Sequence, residues 1–328
     1  MTKKKALVLG ATGQDGSYMI DLLLKKNYEV HGLYRKSSVG NTNNIDHLIN
    51  DNKILNKKFF LHKGDLLDTV SLHNIINEIN PKEIYNFADQ DHVGWSYEIP
   101  SYSFRTTALS VIEILEIIRK KKQKIKFFQP ISSNIFGETN ITKQNEKTPP
   151  EPNSIYALAK TTAFYASKMY SKVYNLHICG AIFFNHESPK RHRDYVSKKI
   201  VQNVCEILHG KRKYIYLGNI KSKIDWGYAK EYVEYAWKIM QKKKPDFYVI
   251  GSGKNNSVEY FVKKCFEYVG LNYKKYIKID KKLFRPSKTR NLLADTFKAK
   301  KDLNFKIRTN LDGLIKIMMD DELKKYNG

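Results

Sequence analysis

The sequence predicts an α/β chain: a doubly wound parallel sheet, with a smaller α/β lobe interleaved into its C-terminal part. Three observations lead there. Short β-rich runs alternate with helical patterns through the first half, which implies crossover units and a sheet covered on both faces. A glycine-rich turn joins the first of those runs to the first helical pattern. After Asn185 the alternation gives way to loops, helices and short strands.

In chain order the expected strands are Ala6–Leu9, Glu29–Tyr34, Lys58–His62, Glu83–Phe87, Lys124–Ile131 and Leu176–Phe184. Between them we expect helices over Gly16–Lys26, Thr69–Ile79, Ser101–Lys121 and Ser154–Tyr174. Further on come helices over Val196–His209 and Ala229–Gln241, then a strand over Phe247–Ile250. The tail from Ser257 mixes a helix, an Arg-Pro-Ser turn and two more helical patterns. We therefore expect a nucleotide-binding lobe over residues 1–184 plus about 222–250, and a second lobe over about 185–221 plus 251–328.

The composition narrows the function. Of 328 residues 41% are hydrophobic, and charges are interspersed rather than blocked, as in a globular chain. No apolar run reaches the roughly 18 residues of a membrane span, and the N-terminal MTKKKALVLG runs straight into an expected strand. We expect no membrane partner, no leader and a cytoplasmic location. The three cysteines, Cys179, Cys205 and Cys265, are far apart, suit a reducing compartment and show no metal-ligand spacing. The formal charge of +25 invites a nucleic-acid reading. The lysines are spread along the chain, however, and no basic stripe with interleaved aromatics stands out. An anionic small molecule is the expected partner.

Gly10-Ala11-Thr12-Gly13-Gln14-Asp15-Gly16 follows the first strand and opens a helix. Glycines there let the backbone turn tightly and bring a pyrophosphate to the helix N-terminus, where amides and the dipole favour anions. A purely structural turn would read the same, but the strand–turn–helix context points to a Rossmann-type dinucleotide site. No acid ends the second strand: Tyr34-Arg35-Lys36 stands where NAD enzymes place Asp or Glu for the ribose. Arg35 suits a 2′-phosphate or a stacked adenine, so NAD and NADP both remain open.

Tyr156 and Lys160, four apart in the helical run Tyr156-Ala157-Leu158-Ala159-Lys160, share one face. A phenol with a pKa near 10 is a poor base. A neighbouring ammonium favours phenolate, so we expect that value to be drawn toward neutrality. Ser132 lies upstream at the end of a strand, where its hydroxyl can hold a substrate oxygen.

The Gly-x-x-Gly-x-x-Gly spacing is that of extended short-chain dehydrogenases, and the resemblance runs further. The stretches GATGQDGSY, YEVHGLYRKSS, HKGDLLD, EIYNFADQDHV, FFNHESPKR, LGNIKSKIDWGYAKEYV and FRPSKTRNLLADTFKAKKDL resemble the GDP-mannose 4,6-dehydratase family, in order and over nearly the whole chain. The resemblance implies NAD or NADP as cofactor and a GDP-linked sugar as substrate. It makes Ser132, Tyr156 and Lys160 catalytic. Gly10, Thr12, Gly13, Gln14, Asp15, Gly16, Arg35, Asp65, Leu66, Ala88, Tyr156, Lys160 and His186 would hold the cofactor. Asn185, Arg191, Lys199, Leu217, Asn219 and Arg285 would hold the substrate. By the same resemblance, the Ser101–Lys121 and Ser154–Tyr174 helices would form a homodimer or homotetramer.

The departures are equally informative. The family's Thr-Ser-Glu after the fifth strand is Ser132-Ser133-Asn134 here. In the dehydratases that glutamate removes the C5 proton after C4 is oxidised, so that water leaves from C6; an amide has no useful basicity. Asn134 is therefore expected to stop the reaction at a 4-keto sugar, of a GDP-mannose or a GDP-manno-heptose, for capsule or lipopolysaccharide synthesis. A full dehydratase, a 4-keto reductase or 4-epimerase, and a non-catalytic nucleotide-sugar binder are the alternatives. Asp89 and Asp91 stand where the family has Ala and Ser, and are candidate replacement bases. Lys221, Ile224, Lys288 and His192-Arg193 also depart, around the expected sugar and nucleotide contacts, and Lys36 replaces an arginine after the second strand.

Overall fold

A computed structural model describes residues 3–121, 124–284 and 292–326. In its first half lie β1 (Lys5–Leu9), α1 (Gln14–Lys25), β2 (Glu29–Tyr34), α2 (Asp46–Ile49), β3 (Phe59–Lys63), α3 (Thr69–Ile79) and β4 (Glu83–Asn86). There follow α4 (Trp95–Glu98), α5 (Pro100–Phe104), α6 (Ser110–Arg119), β5 (Lys126–Ser132), α7 (Ile155–Val173) and β6 (Ile178–Phe183). The second half carries β7 (Asn185–Glu187), α8 (Val196–Leu208), β8 (Ile215–Leu217), β9 (Lys223–Tyr228), α9 (Ala229–Met240), β10 (Phe247–Ile250) and β11 (Asn255–Ser257). It closes with α10 (Val258–Tyr268), β12 (Ile277–Ile279), α11 (Phe297–Leu303) and α12 (Leu311–Lys324).

One seven-stranded sheet has the order β10-β6-β5-β4-β1-β2-β3, and the pairs from β3 through β6 are all parallel. Chain order reverses between β1 and β4, the point at which open α/β sheets bind ligands beyond their C-terminal strand ends. Its strands are apolar on both faces: Leu7, Val8, Ile84, Phe127 and Phe128 are fully buried.

The chain divides into two compact units, one of residues 1–139, 149–183 and 233–248, the other of 140–148, 184–232 and 249–328. Residues 222–232, expected with the nucleotide lobe, group instead with the second unit, as do 140–148. In that unit a three-stranded sheet β11-β9-β7 and a two-stranded sheet β12-β8 accompany a core that includes Trp226, Phe261, Phe266 and Met318. Asp225 on β9 is buried and accepts from the amides of Ser252 (2.7 Å), Gly253 (2.8 Å) and Ala294 (3.1 Å). Gly227 packs against the Tyr232 ring, where a Cβ would sit 2.3 Å from ring carbon. Much of the Asp-Trp-Gly-Tyr-Ala-Lys signature is thus a folding requirement.

One expected helix is broken. Ser101–Lys121 is α5, a π turn over Arg105–Leu109, and α6. The hydroxyl of Ser110 reaches back to the Thr106 carbonyl at 2.6 Å, and the wide turn frees Thr107 to take the amide of Gln90 at 3.2 Å. Such bulges recur at functional sites, and this one anchors the loop that carries Asp89 and Asp91.

Candidate active site

Every strand from β1 to β5 delivers a site residue at its C-terminal end. After β1, Gly10 turns the chain with φ +78°, a region closed to most side chains, and a Cβ there would lie 2.6 Å from the Phe87 carbonyl oxygen. Gly16 is forced more strongly, because a Cβ would meet the Gly10 carbonyl oxygen at 2.1 Å. Gly13 caps α1 with no side chain, so nothing projects over the first turn. The strand–glycine–helix cradle therefore fits a dinucleotide pyrophosphate on its own sterics. Thr12 gives its carbonyl to Asn44 Nδ2 at 3.1 Å, Gln14 is buried, and Asp15 lies in the first turn of α1.

After β2, the exposed guanidinium of Arg35 donates to the Tyr102 hydroxyl at 2.5 Å. After β3, Asp65 folds an Asx turn onto the Leu67 amide (2.9 Å), which places buried Leu66 beside it. After β4, the Asn86 amide is tied to Gln129 on β5 at 2.9 Å, and the Ala88 amide returns to the Asn86 side chain. Sequence reading named Arg35, Asp65, Leu66 and Ala88, and missed their partners Tyr102, Asn86 and Gln129.

Ser132 is the last residue of β5, paired with Phe183. Ser154 caps α7 by accepting the Ala157 amide at 3.1 Å, so Tyr156 and Lys160 fall in the first two turns, and both are buried. Lys160 Nζ donates to the Pro130 carbonyl on β5 at 3.1 Å and lies 5.9 Å from the Tyr156 ring centre. Tyr156 is hydrogen-bonded to Ser132. The three expected catalytic residues are together.

Two features of this cluster were not foreseen. Asn134 donates twice to the Ser132 hydroxyl, from its side-chain nitrogen at 3.0 Å and from its backbone amide at 3.2 Å. A hydroxyl has two acceptor sites and one proton, so Ser132 is left to act as a donor. Secondly, the Asp89 carboxylate forms an ion pair with Lys160. The Tyr156 phenol, expected near neutrality, is pushed up to about 12: burial dominates, Lys160 pulls down, and Asp89 pushes back up. Burial also works against the Lys160 ammonium, but Asp89 and Tyr156 outweigh it and its pKa stands above the ordinary lysine value. The correction has two causes: burial of the phenol is the larger, and the cation meant to activate it already has a carboxylate on it.

A family model described as GDP-mannose 4,6 dehydratase matches residues 7–318. This chain belongs to the GDP-mannose 4,6-dehydratase family. It is 42% identical to GDP-mannose 4,6 dehydratase 1 of Arabidopsis thaliana, over 98% of this chain and 90% of that protein. It is 36% identical to the GDP-mannose 4,6-dehydratase of Vibrio cholerae, over 98% and 94%. Among solved structures, dTDP-glucose 4,6-dehydratase from Bacillus anthracis, in complex with NAD, matches with a TM-score of 0.84 over 99% of this chain and 98% of that one, at 20% identity. That likeness shows the shared fold.

The positions that the resemblance assigns to the substrate, and His186, which it assigns to the cofactor, belong to the second unit. Asn185 opens β7, paired with Trp226, and is exposed. His186 donates from Nδ1 to the Phe184 carbonyl at 2.9 Å and stacks on Tyr232. Arg191 lies over the Tyr195 ring at 3.4 Å and 3.3 Å from the Glu187 carboxylate, which also takes the Ser197 hydroxyl at 2.6 Å. Glu187 was overlooked because it ends a strand and Arg191 lies in the loop after it, so no helical spacing signalled the pair. Lys199 is half-buried on α8, whereas its neighbour Lys198 is spent on a buried pair with Glu322 at 2.8 Å. Leu217 is buried at the end of β8, and Asn219 folds onto the Lys221 amide at 3.0 Å. Arg285 and Lys288 lie outside the described residues. Among the described residues no cluster has the makings of a metal site, and no helix is long and apolar enough to cross a membrane.

Proposed function

We propose that this enzyme oxidises the C4 hydroxyl of a GDP-linked manno-configured sugar, a GDP-mannose or GDP-manno-heptose, and releases the 4-keto sugar without dehydration. The observation that carries this reading is the pair of hydrogen bonds from Asn134 to Ser132. An amide at that position donates and cannot take a proton from C5, whereas a glutamate would accept from the serine and act as the base. Ser132, its acceptor sites filled, has its one proton on the Tyr156 oxygen, and a bound substrate oxygen between the two hydroxyls would take that proton in its place. Tyr156 takes the hydroxyl proton, and Lys160 holds the charge that makes this possible. A nicotinamide dinucleotide, NAD or NADP, supplies the hydride acceptor when bound, with the glycine turn, Arg35, Asp65, Leu66, Ala88 and His186 as its contacts. Asn185, Arg191, Lys199, Leu217, Asn219 and Arg285 hold the GDP-sugar. The full-dehydratase alternative needs a carboxylate at C5, and the engagement of Asp89 with Lys160 counts against Asp89 in that role. A homo-oligomer is the assembly we infer, supported by the exposed apolar stripe Leu158, Tyr165, Met169 and Val173 along α7.

The test is incubation of the pure protein with GDP-mannose and GDP-manno-heptose in D2O, with products followed by NMR and mass spectrometry. A 4-keto product that keeps its C6 oxygen supports the reading. Rapid formation of a 6-deoxy-4-keto product refutes it. Calorimetry should show GDP bound more tightly than UDP; the reverse order would overturn the nucleotide assignment.

A further inference from the structure

Oxidation that stops at the ketone leaves one proton with no internal use. In a complete 4,6-dehydration the hydride and proton taken from the sugar are both returned, and water is the only by-product. In the reading above, the C4 hydrogen would leave as a hydride, with both electrons of the C4–H bond, to the nicotinamide when bound. The O–H bond gives its proton to Tyr156. That proton must leave a site in which Tyr156 and Lys160 are both buried. The structure assigns the exit to Asp89: we propose that its carboxylate takes the proton of each turnover through Lys160 and passes it to solvent, an inference that rests on the dehydrogenase reading.

The placement supports it. The Lys160 side chain is 4% exposed and that of its partner Asp89 is 15% exposed, so Asp89 is the wetter member of the pair. Asp91, two residues further along the same loop, is exposed. The two acids thus step outward from the lysine, and Gln90 between them is clamped by Thr107 of the π turn. The groups acting on Asp89 are Lys160, Asp91 and Asp15, and Tyr156 feels Lys160, Asp89 and Asp91. Burial, with Asp91 and Asp15 adding to it, raises the Asp89 carboxyl above the usual range against the pull of Lys160. A carboxylate so raised is a better proton acceptor near neutrality.

The experiment compares wild type with Asp89→Asn, which keeps the shape, and Asp89→Ala. In a weakly buffered assay with an indicator dye, wild type should release one proton per ketone formed. Both variants should lose about 10²-fold in kcat. Their solvent deuterium effect on kcat should rise while the C4-deuterium effect falls, and azide or formate should rescue the alanine variant. In the cofactor-free protein, the ultraviolet titration difference between a Tyr156-containing and a Tyr156→Phe background should move to lower pH in Asp89→Ala. Wild type that forms product without releasing a proton refutes the dehydrogenase reading and this inference together. Proton release by wild type, with kcat in both variants within about twofold and isotope effects unchanged, refutes the inference alone.

Discussion

The turn after β1 and the turn after β5 leave the same end of one sheet, yet the first is held by its backbone and the second by its side chains. At the first, Gly10 and Gly16 approach neighbouring carbonyls so closely that no side chain fits. At the second, Ser132, Asn134, Tyr156 and Lys160 are arranged by hydrogen bonds, and the Asn134 side chain bonds the Ser132 hydroxyl rather than the strand's backbone. The difference teaches where a family's chemistry can drift. A sterically closed turn preserves the cofactor site, while a turn held by side chains lets a glutamate become an asparagine at little structural cost.

Substitutions can break this contrast, and the largest effect belongs to the side-chain turn. Tyr156→Phe should lower kcat by about 10³-fold or more while leaving nicotinamide binding intact. Fluorescence titration of the cofactor alongside turnover checks both halves, and activity within about tenfold of wild type would remove Tyr156 from its role. Next comes the backbone turn. Gly10→Ala should cost about 1–3 kcal/mol of stability, because it forces a positive φ and a clash with the Phe87 carbonyl. Denaturant unfolding measures it, and an unchanged midpoint would contradict a sterically closed turn. Asn134→Ala should reduce kcat about tenfold with unfolding unaltered, since only the amide's hold on Ser132 is lost. A matching loss of stability would make Asn134 a structural residue instead. Smallest is Ser154→Ala, which removes the α7 cap and should cost about 1 kcal/mol in thermal or denaturant unfolding.

The same contrast explains what could be read from the sequence. The strands, the glycine cradle and the Ser132–Tyr156–Lys160 set are local or periodic, and β2, α3 and β10 fall on their expected residues. The π turn was invisible because the Ser110 back-bond and the Thr107–Gln90 clamp are tertiary choices inside a good helical pattern. Burial of the Tyr156 phenol and the Asp89–Lys160 pair, which joins residues far apart in sequence, both come from the fold, so the raised phenol pKa could not be read from the motif. Conversely, Asp225 and Gly227 gave a family-specific signature whose visible work is structural.

The central claim is that Asn134 separates oxidation from dehydration. It is tested most directly by the product formed from the accepted GDP-sugar in D2O by wild type and by Asn134→Glu. The account predicts that wild type yields a 4-keto sugar with its C6 oxygen retained, and that the glutamate variant gains dehydration, with solvent deuterium at C5 of its 6-deoxy product. A wild-type enzyme that rapidly yields the 6-deoxy-4-keto sugar, with solvent deuterium at C5, would contradict it.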